Sequence, residues 1–354
     1  RFNVPLAVIR RMKHSPSPWN LGFIGPDILL KKDGDEAVLL EPNTRPRSLI
    51  VTPGAFADNA YHRYAVSFID FCKTYDVDPR HAAILINDAE NHANEVYGIQ
   101  KKLGHFGITS EVVKISHSIP QGIDAVFRFA TDDKSLLGKQ LTVPVMNPLL
   151  ADLKGGANKI DFEFACQEFE KKYGIAIQRP RTEIVNNFEK MIRVIENFKY
   201  QCVVKVPDRN IGIGIYDITD KDDMVGYLSK AVKEYAEKYV NYTFYPCLVQ
   251  ELVYGKRTID KRVSSLRIIV ARTQEGLSLI TAFSYLAERG SLITNWWDWK
   301  RNVVDWTRAK VLTAESVDYL GITEDCFWKA AYESMKAFTA LEDYVSKAGQ
   351  EKLK

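Results

Sequence analysis

The feature of this sequence that most constrains its fold is a regular alternation of two patterns between residues 48 and 150. Short apolar runs there alternate with helical stretches whose apolar residues recur every three to four positions. The runs are Leu49–Val51, Ala82–Ile86, Val112–Ile115 and Ala125–Phe129, and the helical stretches are Tyr64–Tyr75 and Asn91–Gly104. Strand–helix–strand alternation predicts a small parallel sheet with helices on its faces. We therefore expect a Rossmann-like domain here, although the G-x-G-x-x-G sequence of a dinucleotide site does not follow its first strand.

The rest of the chain mixes helices with β-rich runs. Apolar periodicity predicts helices over Asn158–Tyr173, Glu183–Phe198, Asp220–Val240 and Glu324–Val345. The predicted strands are Gln201–Val206, Ile211–Ile218, Cys247–Tyr254, Ser264–Arg272 and Leu277–Ala287. Two apolar runs near the N-terminus, Ile28–Leu30 and Ala37–Leu40, are separated by a turn and predict a β-hairpin. The expected fold class is α/β in the middle of the chain and α+β elsewhere.

The composition of the 354 residues is that of a globular protein. Hydrophobic residues make up 46% and charged residues 26%, which excludes a disordered chain. The net charge of +3 gives no argument for nucleic acid as a partner. No apolar run approaches the roughly 20 residues of a membrane-spanning helix. Five scattered cysteines without a C-x-x-C pair predict reduced, buried thiols in a cytoplasmic protein.

A lysine ends one predicted strand, and a glycine pair opens the next. Lys205 is followed by a polar turn that contains Arg209, and then by Gly212 and Gly214. Glycines let backbone N–H groups approach phosphate oxygens closely, and a lysine adds a positive charge to the same group. The pattern is also that of a hairpin whose lysine faces solvent.

Two adjacent polar residues, Gln250 and Glu251, interrupt an apolar strand just before Leu252 and Val253. Because side chains alternate between the faces of a strand, one of the two polar side chains must point to the buried side. An adenine amino group could donate a hydrogen bond to that buried side chain. A strand that emerges into water is the alternative.

Arginine and carboxylate positions complete the candidate chemistry. Arg267 lies in an otherwise apolar strand, and Arg289 precedes Asn295 by six residues. The planar guanidinium of each arginine suits a phosphate or a carboxylate. A surface ion pair is the alternative for each. At the N-terminal hairpin, Asp27 stands on the first strand, Glu41 closes the second, and Asn43 follows on the same face. The carboxylate and amide oxygens of these three residues are hard ligands of the kind that Mg²⁺ prefers. The alternative is that the acidic residues simply mark the ends of the hairpin, where such residues are common.

Together these segments resemble the ATP-grasp superfamily of carboxylate–amine and carboxylate–thiol ligases. The resemblance covers residues 20–50 and 150–350, and it includes Lys159, which resembles the family's other ATP-contacting lysine. It implies ATP and Mg²⁺ as cofactors. The residues it places at ATP are Lys159, Lys205, Arg209, Gly212, Gly214, Gln250, Glu251, Leu252 and Val253. The metal ligands it implies are Asp27, Glu41 and Asn43, and the catalytic residues are Arg267, Arg289 and Asn295.

The order of these motifs departs from that of the family, in which the metal hairpin follows the long C-terminal helix. A circular permutation is the favoured explanation, because one copy of each motif completes one site. Alternatively, residues 1–50 finish a preceding module of a longer protein, or Glu288, Asn295 and Asp298 supply the metal ligands instead. The domains expected under permutation are a metal-site hairpin of the ATP-grasp lobe (1–47), a pre-ATP-grasp domain (48–150), a lid subdomain (151–247) and a catalytic lobe (248–354).

The resemblance implies a ligase that joins a small-molecule carboxylate to an amine, such as an amino acid or peptide, through an acyl-phosphate. Neither nucleic acid nor membrane is expected as a partner, and a homodimer is compatible with the sequence. Two rival interpretations stay open. One is a nucleotide-binding regulatory or scaffold protein without turnover, with Trp296–Trp299 as a partner surface, and the other is a phosphotransferase.

Overall fold

The helices and strands are those of a computed structural model. It describes residues 21–32, 36–44, 55–86, 93–114, 116–128, 143–147, 158–207, 214–219, 222–239, 243–274, 276–289, 297–298, 303–304, 309–312 and 314–352. The helices are α1 (Ala55–Lys73), α2 (Ala93–His105), α3 (Lys159–Tyr173), α4 (Phe188–Asn197), α5 (Met224–Lys238), α6 (Ala314–Leu320) and α7 (Glu324–Lys352).

The strands have the following bounds. They are β1 (Phe23–Ile24), β2 (Asp27–Leu30), β3 (Ala37–Glu41), β4 (His81–Ile86), β5 (Thr109–Lys114), β6 (Ala125–Arg128), β7 (Val145–Met146), β8 (Thr182–Val185), β9 (Cys202–Lys205), β10 (Ile215–Asp217), β11 (Cys247–Glu251), β12 (Ser264–Thr273), β13 (Gly276–Leu286), β14 (Trp297–Asp298), β15 (Val303–Val304) and β16 (Ala309–Val311). The predicted strand Leu49–Val51 lies outside the described residues.

A parallel sheet occupies the middle of the chain. Its strand order is β5-β4-β6-β7, and all three pairings are parallel. Helices α1 and α2 cover this sheet through a core that includes Phe68, Phe71 and Phe127. The α/β expectation for this part of the chain is therefore confirmed.

A six-stranded antiparallel sheet joins the N-terminal hairpin to strands from the far end of the chain. Its order is β16-β13-β12-β2-β3, and β1 also pairs with β12. One face packs on α3 and α7 through Ile28, Leu266 and Phe338, and the other packs on α1 through Ile269 and Phe283. Strand β2 lies directly beside β12, so residues about 240 positions apart in sequence become neighbours.

A second antiparallel sheet has the order β10-β9-β11-β8 and packs on α4 and α5. The predicted helix Glu183–Phe198 is wrong in its first part, because Thr182–Val185 forms β8 and pairs with β11. The helix begins only after Asn187, whose side chain accepts a hydrogen bond from the N–H of Lys190 at 2.8 Å. This N-cap separates a strand from a helix within one apolar run.

Helix α3 was predicted over Asn158–Tyr173 and is observed over Lys159–Tyr173, with Asn158 as its N-cap. The side chain of Asn158 accepts from the N–H groups of Ile160 and Asp161, and Gly174 ends the helix in the left-handed conformation, with φ of +66°. All five cysteines are buried and unpaired by disulfides, as expected. Among the described residues, no helix is both long and apolar enough to cross a membrane.

Candidate functional site

A cleft lies between the two antiparallel sheets. Its walls come from β2 and β3 on one side and from β9, β10 and β11 on the other. Strand alternation explains the choice of residues on β9, because Cys202 and Val204 pack into the core while Val203 and Lys205 face the cleft. The lining residues are Asp27, Leu29, Leu40, Glu41, Pro180, Val203, Lys205, Ile215, Asp217, Gln250, Glu251, Leu252 and Val253.

A β-bulge in the N-terminal hairpin places two carboxylates side by side. Ile28 pairs with Leu39, but the register shifts by one residue before the next pair, so that Asp27 lies opposite Glu41. In an uninterrupted hairpin Asp27 would face Leu40 instead. Bulges re-aim side chains in this way at many functional sites. The predicted proximity of Asp27 and Glu41 is thus observed, and the bulge is its cause.

Asp27 forms a bidentate ion pair with Arg267 of the neighbouring strand. The Nε of Arg267 donates to Oδ1 of Asp27 and an Nη donates to Oδ2, each at 2.7 Å. Asn43 donates to Oδ2 of the same carboxylate at 3.3 Å, and the guanidinium of Arg267 lies 4.8 Å from the ring centre of Tyr285. Burial raises the pKa of Asp27 above its usual value, although Arg267 opposes that shift.

Glu41 faces two lysines. The Nζ of Lys159 lies 3.8 Å from a carboxylate oxygen of Glu41. Burial alone would raise the pKa of Glu41, but the charges of Lys159, Lys205 and Arg267 outweigh it and hold that pKa below its usual value. The backbone N–H of Lys159 donates to the carbonyl of Pro207, which ties the start of α3 to the end of β9.

Lys205 is a buried cation, only 8% exposed. Burial lowers its pKa to about 8, even though Glu41 and Asp27 act in the opposite direction. Lys159, Lys205 and Arg267 together bring three cationic side chains to the two carboxylates of Asp27 and Glu41. The cluster therefore carries a net positive charge, which suits an anionic ligand such as a chain of phosphates.

Gln250 and Glu251 diverge as strand alternation requires. Gln250 is 7% exposed and Glu251 is exposed. The amide of Gln250 donates to the hydroxyl of Thr182 at 2.9 Å, whereas its Oε1 is buried and has no hydrogen-bond partner among the described residues. A buried acceptor of this kind fits a donor on a ligand, such as an exocyclic amine. Leu252 and Val253 line the same cleft.

Several predicted site residues are placed differently or lie beyond the described part of the chain. Gly214, with φ of +70°, starts the return to β10, and a Cβ there would stand 3.0 Å from Val206. Arg289 is exposed in the turn after β13 and is not among the described residues that line the cleft. Arg209, Gly212 and Asn295 lie outside the described residues.

The donors at the hairpin are compatible with a divalent cation. Asp27 and Glu41 offer adjacent carboxylates, and Asn43 reaches the same carboxylate group. In the described ranges no group of three or more His, Cys, Asp or Glu side chains has the geometry to hold a metal ion. A cation here would therefore depend on the amide oxygen or on oxygens of a bound ligand, as is usual for Mg²⁺. Of the alternative ligands, Glu288 is exposed and Asp298 lies on β14.

Sequence reasoning missed part of the cleft. Asp217 lines it from β10, and Arg179 and Glu163 line a smaller adjoining cavity together with Glu41 and Lys159. The one signal in the sequence was the spacing of Lys159 and Glu163, which are four residues apart and so share one face of α3.

The fold is similar to that of solved ATP-grasp structures. A protein from Methylobacillus flagellatus assigned as a gamma-glutamylcysteine synthetase has a TM-score of 0.52 and 12% identity, over 94% of this chain and 90% of that one. A glutathione synthetase-like effector from Globodera pallida has a TM-score of 0.49 and 11% identity, over 78% of this chain and 75% of that one. No family profile and no curated protein matches the sequence. The chain thus has a fold of the ATP-grasp type, in which the parallel sheet β5-β4-β6-β7 comes after the N-terminal hairpin in sequence.

Proposed function

We propose that this protein is an ATP- and Mg²⁺-dependent ligase that joins a carboxylate to an amine through an acyl-phosphate. The observation that carries the proposal is the convergence of Lys159, Lys205 and Arg267 on Asp27 and Glu41, in a cleft between two sheets. An ATP molecule presents both of the features that this cleft accepts, a phosphate chain for the cations and a purine amine for the buried Oε1 of Gln250.

The proposed reaction has two balanced steps. An oxygen of the substrate carboxylate attacks the γ-phosphorus of ATP, and ADP leaves. The amine then attacks the acyl carbon and loses a proton, and inorganic phosphate leaves with the electrons of the C–O bond. No nucleophilic side chain takes part, so the protein contributes positioning and stabilisation of charge.

Each predicted residue has a role in this proposal. Lys159 and Lys205 neutralise the α- and β-phosphates, and the loop that contains Arg209, Gly212 and Gly214 closes over the γ-phosphate. The segment from Gln250 through Glu251 and Leu252 to Val253 holds adenine. Arg267, Arg289 and Asn295 hold the acyl-phosphate or the substrate carboxylate.

The proposed metal site consists of Asp27, Glu41 and Asn43. A Mg²⁺ ion bound there would neutralise phosphate charge that the lysines leave unbalanced. The order of motifs in this proposal is a circular permutation in which the hairpin of residues 1–47 belongs to the catalytic lobe. The pairing of β2 with β12 supports this arrangement.

A nucleotide-binding protein without turnover is the second candidate, and the engaged state of Asp27 favours it. Both oxygens of that carboxylate accept hydrogen bonds from Arg267. If this pair persists with nucleotide bound, only the remaining lone-pair positions of that carboxylate are open to a metal ion.

The test is a measurement of ADP release and amide formation with a panel of acids and amines. The name of the similar Methylobacillus flagellatus protein makes glutamate and cysteine the first pair to try. ADP release coupled to a new amide supports the ligase. ATP binding without ADP release supports the second candidate, and a stable phosphorylated product indicates a phosphotransferase.

A further inference from the structure

The 174–181 segment, which connects α3 to β8, is bonded to both walls of the cleft. The carbonyl of Gln178 accepts from the N–H of Leu39, at 2.8 Å, along the outer edge of β3. Three residues later, the carbonyl of Arg181 accepts from the N–H of Glu251 at 2.9 Å. Leu39 precedes Glu41 by two residues, and Glu251 follows Gln250. One short stretch of backbone therefore spans the distance between the carboxylates and the buried amide.

Arg179 holds this segment to α3 through two carboxylates at once. Its Nε and an Nη bond Glu163 at 3.0 to 3.2 Å, and its two Nη atoms bond Glu170 at 2.5 and 3.1 Å. The side chains of Arg179 and Glu163 are only 15% and 7% exposed. Burial alone would raise the pKa of Glu170, but Arg179 outweighs it and holds that pKa below its usual value. Bonds of this kind, charged and bidentate, are the strongest and most directional that side chains make.

Helix α7 contributes a second anchor to the same segment. Glu333 accepts from the backbone N–H of Gln178 at 2.9 Å, and Lys336 donates to the carbonyl of Ala176 at 2.5 Å. Glu333 and Lys336 also pair with each other at 2.6 Å. The segment is thus held by both α3 and α7. Of these contacts, those of Arg179 are made by a side chain of the segment, whereas those of Glu333 and Lys336 are made to its backbone.

A partner of Arg179, Glu163, lies next to residues of the candidate site. Glu163 lies one helical turn after Lys159 on the same face of α3, and Lys159 faces Glu41 at 3.8 Å. Arg179, Glu163, Lys159 and Glu41 all line one small cavity. Fixing Glu163 therefore fixes the rotation of α3 about its axis, and with it the position of the Lys159 side chain.

We propose that Arg179 is a positioning residue that sets the spacing of the two cleft walls and the placement of Lys159. It acts through the Leu39 and Glu251 amides and through Glu163. This inference depends on the proposed function in one respect, because it assumes that nucleotide binds between these two walls.

A matched control exists elsewhere in the fold. Arg272 of β12 is also buried and bonds Glu342 of α7, whose carboxylate in turn accepts from the N–H of Leu21. Neither Arg272 nor Glu342 lines the cleft among the described residues. The two arginines therefore have similar burial and the same partner chemistry, and they differ in whether their partners reach the cleft.

The experiment compares Arg179→Lys with Arg272→Lys. Lysine keeps the charge but loses the fork, so both variants test bidentate bonding. In Arg179→Lys we expect amide hydrogen exchange at Leu39 and Glu251 to accelerate by about tenfold or more. We also expect KM for ATP to rise by about tenfold, with a smaller change in kcat. In Arg272→Lys the same amides and KM stay within about twofold of the wild type, although the melting temperature falls.

Equal exchange at Leu39 and Glu251 in the two variants would overturn the positioning role. Should Arg179→Lys fail to fold, Glu170→Gln removes one of the two carboxylates and leaves Glu163 in place. That variant should show a smaller acceleration at the same two amides, and unchanged exchange would again overturn the proposal. A wild-type protein that binds no ATP refutes the proposed function, whereas the exchange comparison still decides the role of Arg179.

Discussion

The two walls of the cleft differ in how far the protein itself satisfies their polar groups. On the carboxylate wall, formed by Asp27, Glu41 and Arg267, each carboxylate already faces a cation. On the amide wall, formed by Lys205 and Gln250, burial lowers the pKa of the lysine, and the Oε1 of the glutamine has no partner among the described residues. Groups that the protein leaves unsatisfied gain most from a ligand. We therefore expect the amide wall to dominate nucleotide affinity and the carboxylate wall to dominate turnover.

The largest effect should come from Glu41→Gln on the carboxylate wall. The substitution keeps the shape of the side chain but removes one anionic ligand from the proposed metal site. We expect Mg·ATP turnover to fall by about two decades or more, a loss of roughly 3 kcal/mol of transition-state stabilisation. Steady-state ADP release at saturating Mg²⁺ measures it, and circular dichroism should show an unchanged fold.

Glu36→Gln is the control for this prediction, because Glu36 is exposed on the same hairpin, pairs with Lys31 and is not among the described residues that line the cleft. Its turnover should match that of the wild type. Full activity in Glu41→Gln would remove the hairpin as the metal site and make Glu288 and Asn295 the residues to test.

On the amide wall, Lys205→Ala should weaken ATP binding by at least about tenfold, or roughly 1.4 kcal/mol, without unfolding the protein. The reason is that a buried cation facing a phosphate is poorly screened by water. Calorimetric titration measures the affinity. Lys230→Ala, which alters an exposed lysine on α5, serves as the control and should leave affinity unchanged. An unaltered affinity in Lys205→Ala would mean that this lysine has no phosphate role.

The affinity for ATP should also depend on pH through Lys205. Its pKa of about 8 keeps the side chain protonated below that pH and neutral above it. Phosphate groups, with a second pKa of about 6, are fully ionised in this range. Affinity should therefore be highest below pH 8 and fall by up to about tenfold per pH unit above it. Titrations at pH 7, 8 and 9 test this, and in Lys205→Met the slope should disappear; a slope that persists there belongs to another group.

The smallest effect should follow from Gln250→Leu. This variant removes the buried acceptor and also leaves the Thr182 hydroxyl without its donor. One neutral hydrogen bond contributes about 1 kcal/mol, so ATP affinity should fall by about fivefold. The preference for ATP over GTP should fall with it, because GTP lacks the amine at that position. Gln100→Leu, which removes an amide bonded to the carbonyl of Ser110 far from the cleft, controls for stability. A preserved preference for ATP would exclude Gln250 from base recognition.

Much of the fold follows from patterns that lie within a few residues of one another. The bounds of α3 were predictable to within one residue because the bonds that cap it, at Asn158 and Gly174, are local. The first part of the predicted helix Glu183–Phe198 shows the limit of such patterns, because the run Thr182–Val185 has apolar and β-branched residues that suit either structure. Its pairing with β11, more than 60 residues away, decides in favour of a strand.

In the candidate site, too, some residues could be identified from local sequence patterns and others could not. Lys205, Gln250 and Arg267 were identifiable because each is a polar residue within an apolar strand, which is unfavourable unless the side chain meets a partner. Arg179 was not identifiable, because its carboxylate partners are ordinary helix residues and its segment has no regular period. Its role depends on the N–H groups of Leu39 and Glu251, and backbone groups are identical at every position in a sequence.

The sequence by itself determined the α/β alternation, the hairpin, the bounds of α3 and the burial of the cysteines. The sequence also predicted that Asp27 and Glu41 lie close together, but tertiary structure alone decided the one-residue bulge that sets them opposite each other. It also decided that Arg267 pairs with Asp27 from 240 positions away. The physical reason is that local propensities act through neighbouring residues. Strand register and long-range ion pairs are instead chosen by the packing of whole sheets, in which a shift of one residue moves a side chain to the opposite face.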